Sequence, residues 1–185
     1  IRVICYIDDI LIFSKSLEQH VKDVNAVLKT LHKNKIKLKL AKCEFNKNQI
    51  GFLGWILSGK GVEIDPIRAK RIAEWPRPTS KKETLSFVSA AGFCRRFIRD
   101  FAKLAKPLYH LQKKDVEFIW GEEQEKSFTN IKEEWKAIVM LHHHDETKRI
   151  IIEADASVHA LGAAMFEADP EDSNDREKWR PIAYY

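Results

Sequence analysis

The chain has 185 residues, 44% hydrophobic and 32% charged, with a formal net charge of +5 and an isoelectric point near 9.0. That balance excludes a disordered polymer and gives enough length to bury a core in one large domain or two small ones. No apolar run approaches the roughly 18–20 residues of a membrane span, and the positive charge is compatible with nucleic acid without requiring it. The chain does not open on a basic-then-apolar leader but on Ile1, in a strand-like run with no initiator Met, so a piece of a longer polypeptide is expected.

The first elements are two β-branched and aromatic runs, Ile1 to Ile7 and Ile10 to Phe13, separated by Asp8-Asp9. Ser16-Leu17-Glu18-Gln19 has the form of a capping box. Leu17, Val21, Val24, Leu28 and Leu31 then make one apolar stripe, predicting a helix to about Asn34. Alternation in Ile36-Lys37-Leu38-Lys39-Leu40 predicts a strand. "QIGFLGWILSGKGVEIDP", residues 49–66, reads as a hairpin turning at Gly59-Lys60-Gly61. Asp65-Pro66 starts a helix carrying Ile67, Ile72 and Trp75, which Pro76 and Pro78 stop.

Ser80-Lys81-Lys82-Glu83 caps the next helix, with Leu85, Phe87, Val88 and Ala91 as its apolar positions. It runs into "GFCRRFIRDF", where aromatic and cationic residues alternate, and a further helix spans roughly Ala102 to Lys113. Glu122 to about Ile138 places Phe128, Ile131, Trp135 and Ile138 on one face, with acids in the first turn that suit the positive helix end. Strands follow at Arg149–Asp155, Leu161–Phe166 and from Pro181, with a polar and mobile loop expected over Asp169–Arg180.

Asp is common in tight turns because its side chain can bond its own backbone, and that is the plain reading of Asp8-Asp9. The apolar flanks suggest instead a turn presented by a buried sheet, where two like charges call for a divalent cation. Cys5, Cys43 and Cys94 are odd in number and show no C-x-x-C pair, which fits reduced thiols and an intracellular setting. Cys43, with no His beside it, reads as a packed thiol. His142-His143-His144-Asp145 could chelate a borderline metal, although an exposed polar linker is the simpler reading. His20, His32, His110 and His159 are isolated and receive no role.

In order and spacing these pieces resemble the second half of the polymerases of gypsy-type LTR retrotransposons. "YIDDILIFS" is similar to their YxDD motif, and "KCEF" with "FLGWILSGKGVEIDP" to the segment through the primer grip. "WPRPTSKKETLSFVSAAGFCRRFI" resembles the thumb, "AKPLYHL" with "FIWGEEQEKSF" the connection, and "EADAS" the start of an RNase H domain. The resemblance implies an α+β architecture in four parts. Residues 1–64 form the palm end with its β-hairpin, 65–115 a helical thumb, 116–148 a helical connection and linker, and 149–185 a partial RNase H-like mixed sheet. An incomplete sheet of that kind exposes an edge, with oligomerisation or insolubility as the hazard.

It also implies nucleotidyl transfer with Mg²⁺ or Mn²⁺ on Asp8 and Asp9 as metal-binding acids, dNTP as substrate, and Asp155 as the first RNase H acid. Phe52, Leu53, Gly54 and Trp55 become the primer grip, where Gly permits close backbone approach. Lys70, Arg71, Lys81, Lys82, Arg95, Arg96 and Arg99 become contacts to an RNA/DNA or DNA/DNA primer–template duplex. A single lysine among them reads equally well as a solvated charge. Phe93 and Phe97 flank the arginines and read as core.

A third palm Asp lies earlier in that family and residues 1–7 hold no acid, while the other RNase H acids fall later, so the chain alone is not expected to polymerise or to cleave RNA. Glu167, Asp169, Glu171 and Asp172 read as solvated loop charges. Cys94 stands where the family has a tyrosine and Phe93 lacks another hydroxyl, which puts thumb contacts through those hydroxyls in question. Ile138-Val139-Met140-Leu141 replaces the usual Pro-Val-Leu. Two functions stay open. One is a fragment of an RNA-directed DNA polymerase with RNase H from an intracellular polyprotein, in a cytoplasmic particle or the nucleus. The other is a non-catalytic nucleic-acid- or protein-binding module of retroelement descent.

Overall fold

The computed structural model describes residues 2–138, 140–156 and 161–185. Val139 and His159 lie outside them. The chain is α+β and separates into two compact units, residues 1–47 and 48–185.

In the first unit, β1 (Arg2–Tyr6) and β2 (Asp9–Phe13) pair antiparallel with Tyr6 opposite Asp9. α1 (Leu17–Lys33) follows, and its N-terminus is capped as expected: the Gln19 N–H donates to Ser16 Oγ at 3.3 Å. The Gln19 side chain does not close the box. It donates to Asp23 Oδ1 at 2.8 Å, while the Ser14 hydroxyl donates to Asp23 Oδ2 at 2.7 Å. Those two bonds hold the Asp23 carboxyl below its ordinary pKa, the Ser14 hydroxyl contributing most. Residues 36–39 form no strand, contrary to their alternation, and a 3-10 turn occupies Leu40–Lys42. Alternation places side chains but supplies no partner for the backbone, and no described strand pairs with this segment.

The second unit opens with a meander of β3 (Gln49–Phe52), β4 (Trp55–Ser58) and β5 (Gly61–Ile64). The expected turn at residues 59–60 is present, and a second two-residue turn at Leu53-Gly54 joins β3 to β4. α2 (Pro66–Ala73) starts under an Asp65 cap, whose Oδ1 accepts the Ile67 N–H at 2.8 Å. α3 (Lys81–Gly92) is capped by Ser80 Oγ, but the Glu83 carboxylate turns to the N–H and hydroxyl of Thr79. α4 (Phe101–Leu111) and α5 (Glu122–Lys136) complete the helices.

β6 (Leu141–His142) then pairs with β5, giving one sheet ordered β3-β4-β5-β6. His142, read as the start of an exposed polar linker, is therefore the end of a strand. β7 (Arg149–Ala156), β8 (Leu161–Ala168) and β9 (Arg180–Tyr184) form a second antiparallel sheet.

The core lies among the helices of this second unit. Phe87, Val88 and Ala91 of α3 meet Phe101, Ala105 and Leu108 of α4 and Phe128, Ile131 and Trp135 of α5. The Phe87 and Phe128 rings sit 4.6 Å apart. Leu85, expected on the inner face, is exposed because that face of α3 is set by residues 84, 87, 88 and 91. The 169–180 segment is not a featureless loop. Two 3-10 turns, Pro170–Asp172 and Arg176–Lys178, are tied by Lys178 to Asp172 at 2.6 Å, and Trp179 packs on Phe166 at 5.7 Å.

Candidate functional site

Asp8 lies in the two-residue turn Ile7-Asp8, and Asp9 begins β2. Ile7 takes a left-handed φ of 55°, uncommon for a β-branched residue. The hairpin is not buried within its unit: Ile7 is 89% exposed, and Ile4, Tyr6 and Ile10 are exposed beside it. The expectation of a buried sheet is corrected here, because one two-stranded hairpin and α1 do not cover both sheet faces. Both carboxylates are open to solvent, and no described residue forms an ion pair with either. Two adjacent hard oxygen donors suit one edge of a Mg²⁺ or Mn²⁺ shell. Among the described residues no group of three or more His, Cys, Asp or Glu could enclose an ion.

In the second unit, Phe52 and Trp55 face each other across Leu53 (φ 54°) and Gly54 (φ 79°). The left-handed backbone favours glycine at 54, and a Cβ there would push aside the tip of the Arg68 side chain, whose guanidinium now fills that space. Arg68 lies over the Phe93 ring at 4.2 Å, and Trp55 stacks on Phe93 at 5.2 Å and on Phe97 at 5.1 Å. Hairpin turn, first turn of α2 and the end of α3 are thereby joined through one arginine and three rings. Arg68 escaped the sequence reading. The available signal was the Asp65-Pro66 helix start, which places residue 68 in the first turn, directly after the hairpin.

Phe97 is core as expected, whereas Phe93 is 51% exposed and belongs to the surface of this cluster. Cys94 is buried, and burial pushes its thiol up to about 12 despite the Arg68 guanidinium nearby. Cys43 is half-buried and donates weakly to the Lys39 carbonyl, and Cys5 is exposed.

The expected cationic contacts separate. Arg95 and Arg96 are exposed on the 3-10 turn Arg95–Phe97, close in sequence to the Phe93 cluster. Arg71 and Lys82 are also exposed, and Lys70 makes a solvent-exposed pair with Glu74 at 3.8 Å. Lys81 is committed elsewhere: its Nζ donates to the carbonyls of Lys113 and Lys114 at 2.7 and 3.3 Å, drawn by the negative end of the chain leaving α4. Arg99 is likewise committed, with Nη2 at 3.1 Å from Glu153 Oε2. Both cations thus have hydrogen-bond partners among the described residues, unlike Arg95 and Arg96.

Asp155 is exposed near the end of β7, opposite Gly162. It lines a shallow depression with Asp100, Glu153 and Arg176, and Glu153 there is bonded by both Arg99 and Arg176. The histidines diverge: His143 bonds the Ser58 carbonyl at 2.9 Å and His144 faces Glu167 at 3.4 Å. Glu167 is no solvated loop charge. It is 1% exposed in β8 and accepts the Asp145 N–H at 2.9 Å. Among the described residues no helix is long and apolar enough to cross a membrane.

Residues 1–57 match the family described as reverse transcriptase (RNA-dependent DNA polymerase), and residues 120–185 match the RNase H-like domain found in reverse transcriptase. The Transposon Tf2-3 polyprotein of Schizosaccharomyces pombe is 37% identical over 184 residues, and the Tf2-7 polyprotein of the same organism 36%. Both alignments take in 100% of this chain, which spans 13% of the length of these relatives. The fold is shared with a foamy viral protease–reverse transcriptase solved with double-stranded DNA, at a TM-score of 0.80, 22% identity, 99% of this chain and 31% of that one. A structure of that protein with an RNA/DNA hybrid gives 0.75 at 22% identity, over 98% and 24% of the two chains.

Proposed function

From the premise that this chain joins a reverse transcriptase segment to an RNase H-like segment and is a homologue of retrotransposon polyproteins, we propose that it is the part of a gypsy-type RNA-directed DNA polymerase that holds the primer–template duplex. Its parts are the YxDD end of the palm, the primer grip, the thumb, the connection and the opening strands of RNase H. The observation that carries this reading is the cluster at Gly54. A turn with a close-approach glycine is fixed by Arg68 and Phe93 to the segment that displays Arg95 and Arg96. A rigid turn beside unpaired arginines suits a strand terminus and the phosphates behind it.

Asp8 and Asp9 would hold Mg²⁺ or Mn²⁺ in the intact polymerase, and a bound ion there supplies charge neutralisation for nucleotidyl transfer from dNTP. The residues of this chain orient the primer and carry the acids; Asp155 has the corresponding place at the RNase H end. Polymerase activity, dNTP use, an intracellular particle and assembly with other polyprotein segments are properties proposed for the longer protein.

The test is titration of a fluorescent RNA/DNA hybrid with this chain between about 50 and about 200 mM salt. Binding that weakens with salt, with the slope reduced by about 2 in Arg95→Gln/Arg96→Gln, is the expected result. Binding indifferent to both arginines would overturn the proposal.

A further inference from the structure

A groove of about 640 Å³ runs between α4 and α5. Lys103, Lys106, His110 and Lys113 line one wall, at spacings of three, four and three, so they share a face of α4 and its continuation. They extend over about 15 Å at the rise of a helix. Lys126 projects from the α5 wall. All four lysines are exposed, and no described residue forms an ion pair with any of them. Glu123 is the one acid in the lining.

The groove also has apolar and hydrogen-bonding surface in useful places. Tyr109 is 45% exposed along the same wall, Pro107 also lines the groove, and Asn130 lies one turn beyond Lys126. The floor is rigid, since the buried Ser127 hydroxyl donates to the Leu104 carbonyl at 2.5 Å and pins α5 to α4.

Like charges held this close repel one another, and a polyanion relieves that repulsion. Lysines act as point charges without demanding a planar partner, which fits a phosphodiester backbone of any sequence. A solvent-facing phenol among them offers a surface to an unstacked base, which a duplex keeps inside its stack. We propose that the α4–α5 groove is a binding track for single-stranded nucleic acid, separate from the duplex contacts proposed for Arg95 and Arg96. It takes the phosphates on Lys103, Lys106, Lys113 and Lys126 and a base on Tyr109.

A labelled oligothymidylate and a labelled RNA/DNA hybrid, titrated in parallel into the chain and its variants, test this. Lys103→Gln/Lys106→Gln/Lys126→Gln should weaken the single strand at least about tenfold and reduce its salt slope by about 2, while Lys→Arg at the same positions restores it. Tyr109→Leu should weaken it severalfold with the slope unchanged. Arg95→Gln/Arg96→Gln should weaken only the hybrid, so the duplex reading stands or falls on its own arm. The groove proposal is overturned by wild-type single-strand affinity in the lysine variant, by a parallel loss of hybrid binding, or by a poly-glutamate peptide that competes as well as the oligonucleotide.

Discussion

Residues 1–47 and residues 48–185 follow the same sequence rules and reach different outcomes. In the first unit the hairpin and the Ser16-capped helix form as the sequence predicts, yet Leu11 and Asp23 are the buried residues among those described, and Leu17 and Val21 of the α1 stripe are 62% and 53% exposed. In the second, the stripes of α3, α4 and α5 close on one another, and Phe87, Ala91, Ala105 and Ile131 reach 0% exposure. Periodicity decides where an apolar face points. Burial requires a second face to meet it, and only the longer unit provides one among its own elements.

That contrast can be sharpened by substitution. Phe87→Ala should cost about 3–5 kcal/mol in chemical denaturation, because the ring leaves a cavity against Phe128 and Trp75, whereas Leu17→Ala should change the midpoint little. Equal effects would contradict the contrast. Gly54→Ala should cost about 1–3 kcal/mol, since it strains a left-handed backbone and displaces the Arg68 guanidinium. Ser80→Ala should cost about 1 kcal/mol by freeing the Glu83 N–H, with hydrogen exchange quickened in the first turn of α3.

The smallest effect concerns Cys94. The folded state holds its thiol protonated up to about 12, above the ordinary 9.0, so this group favours folding below pH 9.0 and its contribution falls as pH rises from there toward 12. In a Cys94→Ala variant that alkaline component should vanish. In the wild type at neutral pH a thiol reagent should label Cys5 first and Cys94 last.

Much of the fold was legible because its signals are local. Ser16, Asp65 and Ser80 cap helices through bonds within three residues, and Phe128, Ile131 and Trp135 mark the inner face of α5 by spacing alone. What the sequence hid depends on distant chain. Lys81 reads as a surface cation until the carbonyls of residues 113 and 114 arrive beside it. His142 reads as linker until β5 offers an edge, and Glu167 as a solvated acid until the Asp145 N–H and Arg180 enclose it. The candidate site residues stood out in the sequence as motifs, in Asp8-Asp9 and residues 52–55. Arg68, which joins the 52–55 turn to Phe93, belongs to no motif and is visible only in the packing.

The central claim is that the 52–55 turn meets the primer terminus while the Arg95–Arg96 segment follows the duplex behind it. Photocrosslinking from a reactive base at the 3′ end of the primer, followed by peptide mass mapping, tests that placement directly. The account predicts adducts within β3 and β4, moving to peptides containing residues 93–99 as the reactive base is shifted back along the primer. Adducts concentrated in residues 149–185, or indifferent to the position of the base, would contradict it.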